Sequence, residues 1–339
     1  MTSLFSLKLS SNQFSGFIPD DIGNLTLLSF IDVSANLLQG TIPNSICLIT
    51  YLSSLKLATN QFSGYIPFCI GNLNLLHEID ITSNNLTGLI PNSMCLLTKL
   101  SSLKLVSNQF TGSFPDCIGS LTQLSFIDTT TNNLGGTIPH SICQLTSLTY
   151  FKLTSNQISG FIPDCFANLT NLAFIFLNVN ELEGVIPESL GLLPKLNSLL
   201  LTSNHLSGTI PPTLGSLTTL SHLKLSYNKL SGTVPNSFQN LTNLKICDLS
   251  NNHLSGEISF LSDMKSLLRL DLSNNAFNGT LPQTLANLMS LQYLNLSKTS
   301  LCGGCFMNSM ISSCDLSDVP FECNCNATLC GVSCVSNLI

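Results

Sequence analysis

Cysteine is the residue type whose number and spacing most directly predict chemistry in this chain. The 339-residue sequence contains 14 cysteines, and six of them follow one rule. Three lie eleven residues after a regularly recurring asparagine, and three lie nine residues after one, so that they form pairs 22 residues apart. The pairs are Cys47 with Cys69, Cys95 with Cys117, and Cys143 with Cys165.

Disulfide bonds are the chemistry that we expect of these six cysteines. The alternative pairing, Cys69 with Cys95 and Cys117 with Cys143, spans 26 residues and leaves two cysteines over, so parity favours the first pairing. In the chain-entropy model each closed loop stabilises the fold by roughly 3 kcal/mol. Free thiols or metal ligands are the alternative interpretation. Because disulfides persist in oxidising compartments, the bridges predict secretion.

Seven further cysteines lie in residues 302–339, where the regular pattern of the chain ends. We interpret this segment as a disulfide-bonded cap over the open end of the core. A zinc site is the alternative, but no histidine accompanies the C-x-x-C and C-x-C spacings. The stretch from Cys314 to Phe321 echoes that from Cys247 to Leu254 and predicts one last, degenerate strand. Cys247 occupies an inward strand position and is expected to be a buried hydrophobe.

The five histidines show no catalytic or metal-binding pattern. His205 and His253 share a place in the pattern but stand about 10 Å apart, too far for one metal ion. His222 is expected to face the same surface from between them. No cysteine is placed to pair with a histidine, and there is no kinase signature or glycine-rich phosphate loop. We therefore expect no enzyme, no cofactor and no metal.

The elements that position these residues follow a repeat of 24 residues. Around each recurring asparagine lies the pattern L-x-x-L-x-L-x-x-N-x-L-x-G-x-I-P. The alternating L-x-x-L-x-L stretch predicts a strand, so stacked repeats predict one parallel sheet. Glycine marks a sharp bend, and after the proline we expect a short helical or 3-10 return. The asparagines, here called ladder asparagines, are at 12, 36, 60, 84, 108, 132, 156, 180, 204, 228, 252 and 275.

The G-x-I-P element at this spacing resembles the plant-type leucine-rich repeat of polygalacturonase-inhibiting proteins and receptor-kinase ectodomains. The resemblance covers roughly residues 4 to 300. It implies an α/β solenoid, a right-handed leucine-rich repeat superhelix with a concave parallel sheet for recognition and convex 3-10 or short-helix returns. We expect about twelve repeats in residues 1–301, followed by the cap in 302–339.

Composition narrows the possible partners. Charged residues make up 9% of the chain and the formal net charge is −6, which argues against nucleic acid as a partner. No apolar run reaches the ~18 residues of a membrane helix. Seven N-x-S/T sequons predict N-linked glycans. They are Asn24, Asn85, Asn168, Asn240, Asn278, Asn295 and Asn326.

A second period, of 48 residues, shapes the outward side of the predicted sheet through about residue 170. The central outward position alternates in charge, which predicts cross-strand ion pairs of about 0.2–1 kcal/mol each and a face without net field. Its members are Lys8, Asp32, Lys56, Asp80, Lys104, Asp128 and Lys152.

The charge alternation ends at Phe176 and Leu200, and neighbouring outward positions are apolar or aromatic. Such a patch on a solvent-facing sheet often marks an interaction site. A merely apolar or glycan-covered face is the alternative. The predicted binding patch is Tyr150, Phe174, Phe176, Leu200, His222 and Tyr227.

Two functions fit these features. The first is a non-enzymatic extracellular recognition module that binds a protein, peptide or cell-wall polysaccharide on the concave face. The alternative is a structural protein whose copies self-associate into an extracellular matrix or surface fibre. The 48-residue duplication favours the alternative, as does a first strand at Leu4 that we expect to be covered by upstream residues or a second chain.

Overall fold

The computed structural model describes residues 3–302 and 311–319 of the chain. It divides into two compact units, Met1–Glu181 and Leu182–Ile339. Each unit is a stack of coils with a parallel sheet on one side and 3-10 helices on the return, which confirms the predicted leucine-rich repeat solenoid.

The face sheet of each unit is parallel, and in the first unit each residue pairs with the residue 24 positions later. The middle residue of a face strand lies on the core side, because side chains alternate along a strand, and it is buried in all but the first and last of these strands. In the first unit the face strands are Ser6–Lys8, Phe30–Asp32, Ser54–Lys56, Glu78–Asp80, Ser102–Lys104, Phe126–Asp128, Tyr150–Lys152 and Phe174–Phe176. In the second unit they are Ser198–Leu200, His222–Lys224, Ile246–Asp248, Arg269–Asp271, Tyr293–Asn295 and Ser313–Asp315.

A second set of short parallel strands, which the repeat pattern does not predict, follows most of the ladder asparagines. Most of these strands end at or just after the repeat glycine, whose φ lies between +65° and +88°, and Gln109–Phe110 ends before it. In the first unit they are Ser15–Gly16, Leu37–Thr41, Gln61–Gly64, Asn85–Gly88, Gln109–Phe110 and Ser159–Gly160. From residue 181 onward they are Glu181–Gly184, His205–Gly208, Lys229–Thr233, His253–Gly256, Ala276–Thr280 and Ser300–Cys302.

The returns are single 3-10 helices, and nearly all follow the repeat proline, whose fixed φ and missing N–H suit a helix start. In the first unit they are Asp20–Asn24, Asn44–Leu48, Phe68–Asn72, Asn92–Leu96, Asp116–Ser120, His140–Gln144 and Asp164–Asn168. In the second they are Glu188–Leu192, Pro212–Ser216, Asn236–Asn240, Ser259–Leu261 and Gln283–Asn287.

The ladder asparagines satisfy backbone groups inside the core, as their spacing predicts. Asn84 donates from Nδ2 to the carbonyl oxygens of Ile81 and Leu57, both at 3.1 Å. Its Oδ1 accepts the backbone N–H of Phe62 at 3.0 Å. Asn84 is 7% exposed, so these bonds replace water that cannot reach the groups. Each ladder asparagine after Asn12 therefore links its own coil to the preceding one.

The residue before each ladder asparagine adopts a left-handed backbone, which the sequence does not reveal. At these corners φ lies between +51° and +57°, a region that disfavours L-residues other than asparagine and aspartate. β-branched residues occupy three of them, Thr59, Thr131 and Val179. The corners are Ser11, Ala35, Thr59, Ser83, Ser107, Thr131, Ser155, Val179, Ser203, Tyr227, Asn251 and Asn274, and Lys298, before Thr299, has the same conformation.

Disulfides join successive 3-10 helices in the first unit. In each, the two Cα atoms are 5.8 Å apart and the sequence separation is 22. The bonded pairs are Cys47–Cys69, Cys95–Cys117 and Cys143–Cys165, the same pairs that the spacing favours.

Two further predictions, one about Cys247 and one about the last strand, are confirmed. Cys247 is a fully buried free thiol, and burial raises its pKa far above the ordinary range. Strand Ser313–Asp315 pairs with Tyr293–Asn295, which confirms the last degenerate strand. Cys302 is free and Cys314 is disulfide-bonded. The other cysteines of the predicted cap lie outside the described residues, so the cap and its boundary stay predictions.

Candidate ligand-binding face

The first and third side chains of a face strand lie on the side of the sheet away from the core, where most of them are at least partly exposed, and we call this side of the sheet in each unit its strand face. In strand Glu78–Asp80, for example, Ile79 is 2% exposed while the two flanking residues are half-buried. The strand face is therefore built from two columns of side chains. These columns hold most of the residues that the sequence singles out.

In the first unit, the third-residue column forms part of the predicted charge ladder. Lys104 Nζ lies 3.6 Å from the Asp80 carboxylate, and Lys152 Nζ lies 3.4 Å from that of Asp128. The aspartates also bind the backbone at the strand end, where Asp128 Oδ1 accepts the N–H of Thr130 at 3.0 Å. The ion pairs and these turns hold the column in place.

Glu78, in the first-residue column, is an unpredicted centre of this charge pattern. Its carboxylate lies 2.9 Å from Lys56 Nζ and 3.4 Å from Lys104 Nζ. Burial acts to raise the pKa of Glu78, but the hydrogen bonds and positive charges of Lys56 and Lys104 outweigh it, and the pKa is lowered. The ladder therefore departs from strict Lys–Asp alternation.

Lysines at the beginning of the column also lie over an aromatic ring. Lys8 Nζ and Lys56 Nζ are 5.3 Å and 5.9 Å from the centre of the Phe30 ring. Such contacts stabilise by about 0.5–1 kcal/mol at exposed sites. This end of the strand face is thus covered by its own charged side chains.

Four half-buried aromatic side chains lie together on the strand face of the first unit, and we call them the aromatic cluster: Phe126, Tyr150, Phe174 and Phe176. The Tyr150 ring stacks on Phe126 at 4.7 Å and contacts Phe174 at 5.0 Å and Phe176 at 5.4 Å, measured between ring centres. Lys104 Nζ lies 5.7 Å from the Phe126 ring centre. The structure thus brings together three residues of the predicted patch.

Phe126 is the member of this cluster that the sequence analysis missed. It lies in the first-residue column beside Tyr150, with which it pairs in register. The charge alternation that indicated the patch belongs to the third-residue column, so it gives no sign of Phe126. The 48-residue period contains the signal, because Phe126 stands four repeats after Phe30.

The predicted residues of the second unit lie in less apolar surroundings. Leu200 pairs in register with Lys224, and His222 Nδ1 is 3.4 Å from Ser198 Oγ. Burial lowers the pKa of His222, and the positive charges of Lys224 and Lys245 lower it further. His222 is therefore held towards its neutral form.

Tyr227 does not belong to a face strand. It occupies a left-handed corner with φ of +54° and is 59% exposed. It borders an open groove that is lined mainly by asparagine side chains, together with one lysine and one histidine. The groove is lined by Asn204, Tyr227, Asn228, Lys229, Asn251, Asn252, His253 and Asn274.

Two expectations about histidine do not hold. His205 and His253 begin strands of the second set, whereas His222 begins a face strand, so the three do not share a sheet. A turn at the left-handed corner separates the two kinds of strand. In the first unit, His140 Nδ1 lies 3.6 Å from Cys165 Sγ, although no such pair was expected.

The sequons differ in accessibility. Asn24, Asn85, Asn168, Asn240 and Asn278 are exposed. Asn295 is half-buried in a face strand, where it donates to Asp271 at 3.1 Å and accepts the N–H of Ser297 at 3.1 Å. Asn326 lies outside the described residues. Glycosylation stays a prediction, and Asn295 is the described sequon least suited to it.

Comparison with solved structures gives close matches. The chain is 35% identical to the leucine-rich repeat ectodomain of the membrane receptor kinase GASSHO1/SCHENGEN3 from Arabidopsis thaliana, with a TM-score of 0.82. It is 33% identical to the plant peptide hormone receptor RGFR1, with a TM-score of 0.81. In both cases 94% of the chain is covered, and the chain spans 42% and 60% of the length of those two proteins.

A match of more equal length comes from a leucine-rich repeat protein of Leptospira interrogans. It is 30% identical with a TM-score of 0.68, and the match covers 88% of this chain and 80% of that one. No curated protein sequence matches the chain significantly. Within the described residues, every helix is too short or too polar to cross a lipid bilayer.

Leucine-rich repeat sequence profiles match the chain along most of its repeats. One profile matches residues 146–206 and 194–254, and a second matches residues 3–25, 75–97, 99–121 and 266–288. Together with the structural matches and the G-x-I-P element, they establish that the chain belongs to the leucine-rich repeat family, with repeats of the plant type.

Proposed function

We propose that this protein is a recognition module that binds a peptide ligand on the strand face of its first unit. The aromatic cluster carries the proposal. Its four rings lie on the solvent side of a sheet, where polar residues would suffice for folding. Aromatic side chains of this kind contribute most of the binding energy when a partner covers them.

The related structures support a peptide as the ligand class. The GASSHO1/SCHENGEN3 ectodomain was solved with CASPARIAN STRIP INTEGRITY FACTOR 2, and the peptide hormone receptor RGFR1 with RGF2. Because this chain spans only 42% and 60% of those proteins, we propose the class of ligand and not its identity. A protein or cell-wall polysaccharide ligand and self-association are the alternatives.

The charged side chains beside the cluster would orient the ligand. Lys104 lies over Phe126 and is paired with Asp80, while Lys152 is paired with Asp128. Paired charges at the rim of an interface affect orientation and association rate more than affinity. We therefore expect the affinity to come from the rings.

We also propose that the protein works outside the cell. The disulfides of the first unit require an oxidising compartment to persist. The exposed sequons would be accessible to glycosylation in the secretory pathway. The similar ectodomains of plant membrane receptors support the same location.

Selection of a random phage-displayed peptide library on the immobilised, oxidised full chain tests the proposal. Selected peptides should bind the Tyr150→Ala, Phe174→Ala double variant about 30-fold more weakly, because loss of such anchors costs ~2 kcal/mol or more. Phe68→Ala is the matched control. Its ring is 66% exposed but belongs to a return helix, and its removal should leave binding unchanged.

Two results would contradict the proposal. Selected peptides that bind the double variant and the wild type equally would show that the aromatic cluster is not the site. A chain that selects no peptide but forms oligomers in sedimentation, dissociated by the same double variant, would favour self-association. Unchanged thermal unfolding of the variants excludes misfolding as the cause.

A further inference from the structure

The three disulfides of the first unit have equivalent positions but different neighbours. In each, the second cysteine lies near the first residue of the preceding 3-10 helix. That residue is asparagine beside the first two bridges, Asn44 and Asn92, and histidine beside the third, His140. The residue directly before the second cysteine also varies. It is Phe68, Asp116 and Asp164 in the three bridges in turn.

Only the third bridge therefore has both an imidazole and a carboxylate beside it. Ligand atoms of His140, Asp164 and Cys165 all lie within 4.8 Å of one another. His140 Nδ1 is 3.6 Å from Cys165 Sγ, and the second sulfur of the bridge, that of Cys143, is bonded to Cys165. His140 and Asp164 are exposed and Cys165 is half-buried, so an ion can reach the cluster from solvent.

In the oxidised chain this cluster is a poor metal site, because the sulfur atoms of a disulfide are neutral. Reduction changes its chemistry. A dithiol reductant gives two electrons and two protons, the S–S bond breaks, and the reductant is oxidised to its own disulfide. Cys143 and Cys165 become thiols, and each loses its proton when the sulfur binds a metal ion.

We propose that reduction of the Cys143–Cys165 bridge creates a zinc site formed by His140, Cys143, Asp164 and Cys165. Zinc prefers four ligands in a tetrahedral arrangement and takes cysteine sulfur, histidine nitrogen and carboxylate oxygen. Metal–ligand distances of about 2.0–2.3 Å place such donors roughly 3–4 Å apart, so side-chain rotations suffice to close the site. The ion links the same two helices that the disulfide links.

The other two bridges serve as internal controls. The reduced Cys95–Cys117 pair has a carboxylate, Asp116, but an amide, Asn92, in place of the imidazole. The reduced Cys47–Cys69 pair has neither a carboxylate nor an imidazole at these places. We expect both pairs simply to open on reduction.

Cobalt titration of the full chain, reduced with a phosphine, tests the proposal. Co²⁺ reports tetrahedral thiolate binding by its visible and charge-transfer absorption. His140→Asn, which copies the residue of the sister coils, should lose one equivalent of tightly bound Co²⁺ relative to wild type. Cysteines elsewhere contribute equally to both proteins, so the difference isolates this site. Asn92→His should gain one equivalent, because it places an imidazole beside Asp116 and the second bridge.

Equal Co²⁺ stoichiometry in the reduced wild type and His140→Asn overturns the proposal. So does binding of the same equivalent before reduction, because the ligands would then not include the bridge sulfurs. Thermal unfolding gives a second readout. Zn²⁺ should raise the Tm of the reduced wild type more than that of reduced His140→Asn, and matching far-UV spectra of the oxidised proteins show that both are folded.

Discussion

In both units, successive return helices approach each other at the same two positions of the repeat, but the residue types at these positions differ between the units. In eight places along the chain, the residue eleven places after a ladder asparagine faces the residue nine places after the next one. The first unit alternates glycine–serine pairs with cysteine–cysteine pairs, whereas Gly191 and Gly215 of the second unit face hydroxyl residues. The pairs in the first unit are Gly23–Ser45, Cys47–Cys69, Gly71–Ser93, Cys95–Cys117, Gly119–Ser141 and Cys143–Cys165, and those in the second are Gly191–Thr213 and Gly215–Ser237.

This difference shows that two kinds of residue pair, glycine with a hydroxyl residue or cysteine with cysteine, can occupy the same close contact between coils. A Cβ atom on Gly215 would lie 2.5 Å from both the Cβ and the backbone oxygen of Ser237, so a side chain there requires the two coils to shift apart locally. Ser237 instead donates to the carbonyl oxygen of Pro212 at 2.7 Å. A cysteine pair turns the same proximity into a covalent bond. Cysteine therefore occupies both positions of a pair together, whereas the residue that faces a glycine varies between serine and threonine.

The largest expected effect is a new bridge in the second unit. Gly215→Cys combined with Ser237→Cys should form a disulfide that makes the oxidised variant about 3 kcal/mol more stable than the same variant reduced, as expected for a loop of this length. Denaturant unfolding with and without reductant measures the gain, and thiol titration measures bond formation. Two free thiols in the folded double variant would show that the units differ in backbone and not only in side chains.

A single substitution at the same pair should have the opposite sign. Gly215→Ala should destabilise the second unit by about 2 kcal/mol, because the added methyl group overpacks the contact with Ser237. Gly135→Ala is the matched control. Its added Cβ would lie 3.8 Å from the nearest atom, so thermal unfolding should change little. Equal losses in both variants would contradict the close-approach explanation.

The left-handed corners offer a smaller effect. The second unit uses asparagine at two of them, Asn251 and Asn274, while the first has valine at 179. Val179→Asn should raise the free energy of unfolding by about 1 kcal/mol, because asparagine tolerates this conformation better. Asn251→Val should lower it by a similar amount. A neutral result for Val179→Asn would mean that contacts of the valine side chain offset the backbone strain.

The smallest effects concern pH, and the units should respond in different ranges. The folded pKa of Glu78 lies below its usual 4.5, so the stability that it contributes is present above that value and is lost as pH falls through the folded pKa. The folded pKa of His222 lies below its usual 6.5. For a base this means that stability is lost as pH falls below about 6.5, because the unfolded state binds the proton first.

Unfolding curves of Glu78→Gln and His222→Gln between pH 3 and 8 separate these two contributions. Relative to wild type, the glutamate variant should depend less on pH in the acid range. The histidine variant should depend less on pH just below 6.5. Parallel pH profiles for wild type and both variants would contradict the assignment.

The repeat allowed much of the fold to be predicted from the sequence. Leucines that alternate with other residues indicate the face strands, and the ladder asparagines indicate the side-chain hydrogen bonds to the backbone. Both can be recognised because one residue type recurs at the position in nearly every repeat. The paired cysteines are recognised for the same reason, by a constant offset. The left-handed corners escaped prediction because serine, alanine, threonine, valine and tyrosine all occupy them. Backbone strain there is imposed by the coil and leaves no common residue type.

The candidate site could be predicted only in part, because its members come from different columns of the repeat. Phe176 interrupts a visible charge pattern, and Tyr150 and Phe174 lie beside that break, whereas Phe126 lies in a coil where the pattern continues. Glu78 lies outside the charge column and joins it only through its ion pairs with Lys56 and Lys104. The contact of His140 with Cys165 depends on an offset of 25 residues, one more than the repeat. Such diagonal neighbours become apparent only when the coils are stacked.

The hydrogen bonds of the ladder asparagines imply an order in which successive coils complete their structure. Asn84 binds Leu57 and Phe62 of the preceding coil, so that coil has all its polar groups satisfied only after its successor has formed. During synthesis on the ribosome, each coil would therefore complete its hydrogen bonds only after about one further repeat has been made. Damage should be directional too, since a lesion at one ladder asparagine loosens the coil made before it. At the far end Thr299 offers only a hydroxyl, which donates to Leu296 of its own coil at 2.8 Å.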